Sequence, residues 1–349
     1  MEGRVSQRIA FVFPGQGSQT VGMGADIFQA SPAARSVYEI ADDALGFPLS
    51  TLCFEGPESS LRETVNTQPA IVATSLALLA ALQEAAGAET DAEKGNGPVL
   101  RGSIQPTFVA GHSVGEYSAV AASGALGVAD TLRLVRERGR LMHEEGLRCP
   151  SGMAAVLGLD ADALVSICAE ATDTTRASLS ASELAAHPGA GRVVVANINA
   201  PGQIVISGAT PALEAAMELA RAGGAKRVVS LAVSGAFHSP VMAPAAEALA
   251  KAVEAAPVVD PDVPVVANIT AEPLTTEAQL REELAQQIVS PVQWTRTVQY
   301  LADHGVDTFV EIGVGQVLAG LIRRIAKGAT IVSVGAVADL ASAAERLRT

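Results

Sequence analysis

Ser113 stands in Gly111-His112-Ser113-Val114-Gly115, a G-x-S-x-G pentapeptide. A serine hydroxyl becomes a nucleophile when a base takes its proton and a preformed site receives the charge pushed onto the substrate carbonyl. The flanking glycines permit a turn sharp enough to lift the hydroxyl clear of a sheet. The apolar run 107–110 predicts a strand before the motif, and the small-residue run 116–122 predicts a helix after it. Strand, turn and helix together are the setting of a nucleophile elbow, with the helix N-terminus facing the developing oxyanion. The bland alternative is a tight βα turn in which Ser113 caps the helix.

The base must come from the five histidines, at 112, 143, 187, 238 and 304. His112 adjoins the serine, and so sharp a turn keeps its ring from the hydroxyl. His143 and His304 lie near expected helix ends, and His187 lies in a polar stretch. His238 sits in Ser234-Gly235-Ala236-Phe237-His238-Ser239-Pro240, a loop after an expected strand, where α/β sites gather. An ordinary loop histidine is the competing reading. A hydrolase-type triad would put an acid between Ser113 and His238. Asp130, Asp160, Asp162 and Asp173 all fall near helix starts or in polar sequence. Either a backbone carbonyl orients the imidazole or the fold is a different one.

Arg138 breaks a pattern. Residues 129–145 predict a helix whose apolar stripe is Leu134, Val135, Leu141 and Met142, and Arg138 falls on that stripe. A planar guanidinium inside a protein suits bidentate capture of a carboxylate. A structural ion pair, or a side chain reaching out to solvent, accounts for the pattern as well.

The surrounding elements have to position these groups. Residues 9–13 predict a strand entering the loop Pro14-Gly15-Gln16-Gly17-Ser18-Gln19. The apolar stretch 70–86 carries Thr74, Ser75, Gln83 and Glu84, and predicts a buried helix with Pro69 in its first turn. Strands over 153–158, 192–197, 203–207 and 227–233 alternate with helices over 161–171 and 211–223. This β-α-β-β-α-β order is a ferredoxin-like signature. The expected fold class is therefore α/β: a large α/β-hydrolase-like domain, 1–150 and 234–349, with a mostly parallel sheet. A small ferredoxin-like subdomain, 151–233, is inserted in it. Two polar segments, 88–105 and 172–191, read as surface insertions.

Composition narrows the classes. The 349 residues carry a net charge of −13, without the overall basic bias that a nucleic-acid binder normally shows. Three cysteines without CxxC spacing make neither a disulfide framework nor a metal or redox motif. A soluble cytoplasmic protein with no membrane span and no metal is expected.

Taken together, Phe13-Pro14-Gly15-Gln16-Gly17-Ser18-Gln19, Gly111-His112-Ser113-Val114-Gly115-Glu116-Tyr117, Arg138-Gly139-Arg140-Leu141-Met142, Phe237-His238-Ser239 and Ser290-Pro291-Val292-Gln293-Trp294 occur in one order. The chain closely resembles the malonyl-CoA:acyl-carrier-protein transacylases of fatty-acid synthesis and the related acyltransferase domains of polyketide synthases. The resemblance runs from about residue 9 to about residue 325. It implies Ser113 as nucleophile and His238 as base, oriented by a main-chain carbonyl near Gln287. It implies Gln16 and Val114 as oxyanion-hole amides and Arg138 as the grip on the malonyl carboxylate. Asn197 and Asn199 resemble substrate-side asparagines. Val114 and Phe237 correspond to positions that favour malonyl over methylmalonyl in the polyketide domains. The partners implied are malonyl-CoA and a transiently docked acyl carrier protein, with no cofactor and a monomeric enzyme. The carrier is normally acidic, so Lys226-Arg227 and Arg323-Arg324 with Lys327 are candidate docking clusters. A polyketide-type acyltransferase, a serine hydrolase of esterase or lipase type, and a non-catalytic carrier-binding module are the alternatives.

Overall fold

A computed structural model describes residues 7–88 and 102–348. Most of the expected insertion 88–105 lies outside the described residues. Among the described residues β1 (Ile9–Phe13) and β2 (Phe108–Gly111) precede a block of four strands, β3 (Ser151–Leu157), β4 (Val193–Ala200), β5 (Gln203–Ala209) and β6 (Arg227–Ser230). β7 (Val265–Val266), β8 (Pro273–Leu274), β9 (Thr308–Ile312) and β10 (Thr330–Val334) follow.

The first and last groups form one sheet in the order β10-β9-β1-β2-β7-β8. All of its pairs are parallel except β7–β8 at one edge. Every residue of β1, Ile-Ala-Phe-Val-Phe, is buried. A strand covered on both faces by helices needs such a continuous apolar run. The nucleophile motif begins at the C-terminal end of β2, in the middle of this sheet.

The helix Thr64–Ala85 is longer than the expected 70–86, and Pro69 lies inside it. Proline has no N–H for the carbonyl four residues back, so the Val65 carbonyl loses its helical partner. Arg136 Nη1, from the helix Val128–Arg148, donates to that carbonyl at 2.7 Å. The two helices touch where Gly139 has no side chain: a Cβ there would stand 2.9 Å from the Thr64 carbonyl oxygen. The helix Thr64–Ala85 is long and apolar enough to cross a membrane, yet 89% of its most apolar window is buried in the protein. It is a core helix.

The middle block forms a separate antiparallel sheet in the order β4-β5-β3-β6. The helices Ala161–Ser178 and Thr210–Ala222 cover one face through Leu164, Cys168, Leu213 and Ala216. The expected polar insertion 172–191 is mostly helix: the first helix runs on to Ser178, and Ser180 caps a short one, Ala181–Ala186. The polarity that suggested a loop belongs to exposed helix faces. β6 stops at Ser230, short of the expected 233.

β4 carries two register shifts, between Val195 and Asn197 and between Ile198 and Ala200. A bulge reverses which side chains face which way. Val193 and Ile198 pack toward the helices, whereas Asn197 and Asn199 line the cavity on the opposite face. The small sheet is joined to the large unit by main-chain bonds, Ile198 N–H to the Val292 carbonyl at 2.9 Å and Val292 N–H to the Ala196 carbonyl at 2.8 Å.

Candidate active site

Ser113 occupies the left-handed region, φ +52°. That conformation costs a non-glycine residue about 1–2 kcal/mol and must be held by its surroundings. A Cβ on Gly111 would meet Gly115 backbone at 2.0 Å, and one on Gly115 would meet the Phe13 carbonyl oxygen at 2.2 Å. Both motif glycines are thus demanded by close approach. Asn268 clamps the turn from outside: its Oδ1 accepts the Ser113 N–H at 2.8 Å, and its Nδ2 donates to the Gly111 carbonyl at 2.7 Å. Asn268 was absent from the sequence-based candidates. It follows a two-residue strand and belongs to no motif, so no local signal marks it.

His238 Nε2 lies 2.7 Å from Ser113 Oγ. His238 Nδ1 lies 2.9 Å from the Gln287 carbonyl and 3.1 Å from that of Ser290. Carbonyls only accept, so Nδ1 carries the hydrogen and Nε2 offers its lone pair to the serine. No aspartate is required for this orientation. Burial, then the nearby Arg138 charge, pull the imidazole down to about 3. The ring is therefore neutral, as a general base must be. His238 is also left-handed, φ +57°, with its N–H bonded to the Ile288 carbonyl at 2.9 Å.

The helix Gly115–Ala122 starts beside the hydroxyl. Among the described residues neither the Gln16 nor the Val114 N–H is taken by a backbone acceptor. Both residues line the cavity that holds Ser113 and His238. Free amides at a helix N-terminus and on the facing loop can receive an oxyanion.

Arg138 is 1% exposed. Nη1 donates to Gln68 Oε1 at 2.6 Å, Nη2 to Gln287 Oε1 at 2.8 Å, and Nη2 also approaches Ser113 Oγ at 3.3 Å. Its Nε has no partner among the described residues. The expected alternatives, an ion pair or a solvent-reaching side chain, do not match: every hydrogen-bond partner is neutral and the side chain is buried. A buried cation without a paired anion invites one.

These groups open onto a cavity of about 380 Å³, also lined by Asn197, Asn199, Phe237, Met142 and Met153. Asn199 Oδ1 is bonded to His112 Nε2 at 2.8 Å, so His112 faces Asn199 and not the serine hydroxyl. The remaining histidines lie elsewhere: His187 pairs with the buried Glu145 at 2.6 Å, and His304 stacks on Tyr300. Lys226 and Arg227 are exposed at the start of β6, whose trailing residues 231–233 line the cavity. Arg324 is engaged in holding the small sheet, through the Pro201 carbonyl at 2.7 Å and Gln203.

The acyl transferase domain family matches residues 10–343. The malonyl CoA-acyl carrier protein transacylase of Bacillus subtilis is 42% identical over 318 residues, 91% of this chain and 90% of that one. The Escherichia coli K12 protein of the same name is 38% identical over 97% of this chain and 99% of its own. The acyl-carrier-protein S-malonyltransferase of Bartonella henselae superposes with a TM-score of 0.86 at 38% identity, covering 98% of this chain and all of that one. A malonyl-transacylase solved in complex with its type II PKS acyl-carrier protein gives 0.85 at 36% identity, over 97% of this chain and all of that one. A parallel sheet with an elbow at its centre, a neutral histidine on the serine and an unpaired buried arginine thus meet full-length similarity of this degree: the chain belongs to the acyl transferase family, among its malonyl CoA-acyl carrier protein transacylases.

Proposed function

We propose that this enzyme moves a malonyl group from malonyl-CoA to the phosphopantetheine thiol of holo acyl carrier protein, through an ester on Ser113. His238 Nε2 takes the Ser113 proton as Oγ attacks the thioester carbonyl. The Gln16 and Val114 amides hold the tetrahedral oxyanion. The C–S bond breaks, the proton passes from His238 to sulfur, and coenzyme A leaves as the thiol. The carrier thiol then gives its proton to His238 and attacks the ester, and Ser113 is released protonated. Acid–base chemistry of this kind closes without a metal or redox group.

The observation that carries the choice of acyl group is Arg138. It is a buried guanidinium with only neutral hydrogen-bond partners, 3.3 Å from the nucleophile. The free carboxylate of malonate supplies the missing anion. Phe237, 5% exposed and next to His238, limits room for an α-branch and supports malonyl over methylmalonyl. The elbow supports an α/β-hydrolase-like large domain over 1–150 and 234–349. The antiparallel order β4-β5-β3-β6, with a long helix and a short one after β3 and one helix after β5, supports a ferredoxin-like insert over 151–233. A site complete within one chain supports a monomer, and three free, buried cysteines support the cytoplasm. The acceptor is the fatty-acid carrier; the alternative is a polyketide carrier, the partner of one solved relative.

Intact mass after mixing with malonyl-CoA alone tests this. The protein should gain one malonyl group, and Ser113→Ala should gain none. Steady release of coenzyme A without an adduct would instead identify a hydrolase. Adding each holo carrier then shows which one discharges the ester.

A further inference from the structure

Behind the elbow lies a polar cluster that the transfer steps do not use. Glu116, fully buried, and Glu283, 5% exposed, come from the helices Gly115–Ala122 and Glu277–Gln286. Glu116 Oε1 accepts the Asn268 N–H at 2.8 Å, and its Oε2 accepts from Gln287 Nε2. Glu283 Oε1 accepts the Ile269 N–H at 3.0 Å, and its carboxyl lies close enough for its charge to disfavour ionisation of Glu116. Burial pushes Glu283 up to about 7; burial and the Glu283 charge push Glu116 well above the usual carboxylate range.

Gln287 connects this pair to the reacting groups. Its Nε2 donates to Glu116 and, at 3.0 Å, to the Ser113 carbonyl. Its Oε1 accepts from Arg138 Nη2 at 2.8 Å, and its main-chain carbonyl faces His238 Nδ1. A side-chain amide can turn over and exchange its oxygen and nitrogen. Turned over, Gln287 would aim N–H groups at Arg138, which has only donors to offer. Two acceptors on Nε2 forbid that orientation. Glu116 must also accept at both oxygens, from Gln287 and from the Asn268 N–H; an amide in its place would set an NH2 against one of these donors.

We propose that Glu116 is a positioning residue for acyl-group selection: its two carboxyl oxygens fix the Gln287 amide, which holds Arg138 ready for the acyl carboxylate. This rests on the reading that Arg138 grips malonate. In Glu116→Gln one donor loses its oxygen, only the Ser113 carbonyl still holds Gln287 Nε2, and the Gln287 grip on Arg138 loosens. Glu283→Gln keeps an oxygen for Ile269 and leaves both Glu116 oxygens with their donors.

The test is the rate of Ser113 acylation by malonyl-CoA and by acetyl-CoA, for wild type, Glu116→Gln, Glu283→Gln and Arg138→Ala. Glu116→Gln should raise KM for malonyl-CoA about tenfold, the worth of one hydrogen bond to a charged group, and so lower the malonyl-to-acetyl ratio. Glu283→Gln should keep the wild-type malonyl-to-acetyl ratio. An unchanged ratio in Glu116→Gln, or equal loss of both acylations, overturns the proposal. So does a fallen ratio in Glu283→Gln, which decides the matter even where Glu116→Gln does not fold. If Arg138→Ala itself keeps the wild-type ratio, the reading of Arg138 fails.

Discussion

At the scale of single residues, Arg138 acts on two neighbours in opposite senses. On the proposed reading it offers positive charge to an acyl carboxylate; the same charge, after burial, disfavours a proton on His238. Arg138→Ala should therefore raise the His238 pKa from about 3, though not to its ordinary 6.5, because burial remains. Titration of the imidazole ring protons by NMR measures this, and an unmoved pKa would remove Arg138 from the account. The sign for stability follows. Between pH 6.5 and about 3 the unfolded chain binds a proton that folded His238 refuses, so acidification through that window costs stability. Ser113, His238 and Arg138 were legible in the sequence because each violates or completes a local pattern. Asn268 and the Gln287 side chain were not. They reach Ser113 from 155 and 174 residues away, and no local period encodes such a contact.

At the scale of elements, the site depends on how the helices Thr64–Ala85 and Val128–Arg148 meet. The turn around Pro69 presents Gln68 to Arg138, and Arg136 caps the carbonyl that Pro69 leaves free. Gly139→Ala would normally strengthen a helix by about 1 kcal/mol. Here the added Cβ would stand 2.9 Å from the Thr64 carbonyl oxygen and 3.0 Å from the Val65 Cα, neither of which can rotate away. Overpacking should win, destabilising the protein by about 1–3 kcal/mol. A lowered urea midpoint with an unchanged slope is the expected reading, and KM for malonyl-CoA should rise because Arg138 moves with its neighbour. Apolar periodicity made both helices visible, but not that Pro69 is interior: its compensation comes from another helix. The bulges of β4 were equally hidden, so Asn197 and Asn199 rested on resemblance alone before the register placed them on the cavity face.

At the scale of the whole molecule, the cavity lies between the parallel sheet and the uncovered face of the small one. The alternation of strands and helices announced both sheets; the main-chain bonds that join them, near Ala196 and Val292, left no mark in composition. On the proposed function, this acidic chain would meet an acidic carrier through a local basic patch. Lys226 and Arg227 are exposed at the start of β6, at the other end of that strand from residues 231–233 of the mouth, whereas Arg324 is occupied in joining the sheets. Lys226→Glu with Arg227→Glu should slow transfer to the carrier while formation of malonyl-Ser113 from malonyl-CoA keeps its rate. Single-turnover measurements of the two half-reactions separate these effects, and equal rates in the second would clear the patch of a docking role.

Ser113 and His238 share an unusual trait: both hold the chain in a conformation that suits glycine better than either of them. A descendant with glycine at either position would be a more relaxed polypeptide and would do no chemistry. Folding alone would let both residues drift away; only turnover gives a lineage reason to keep them.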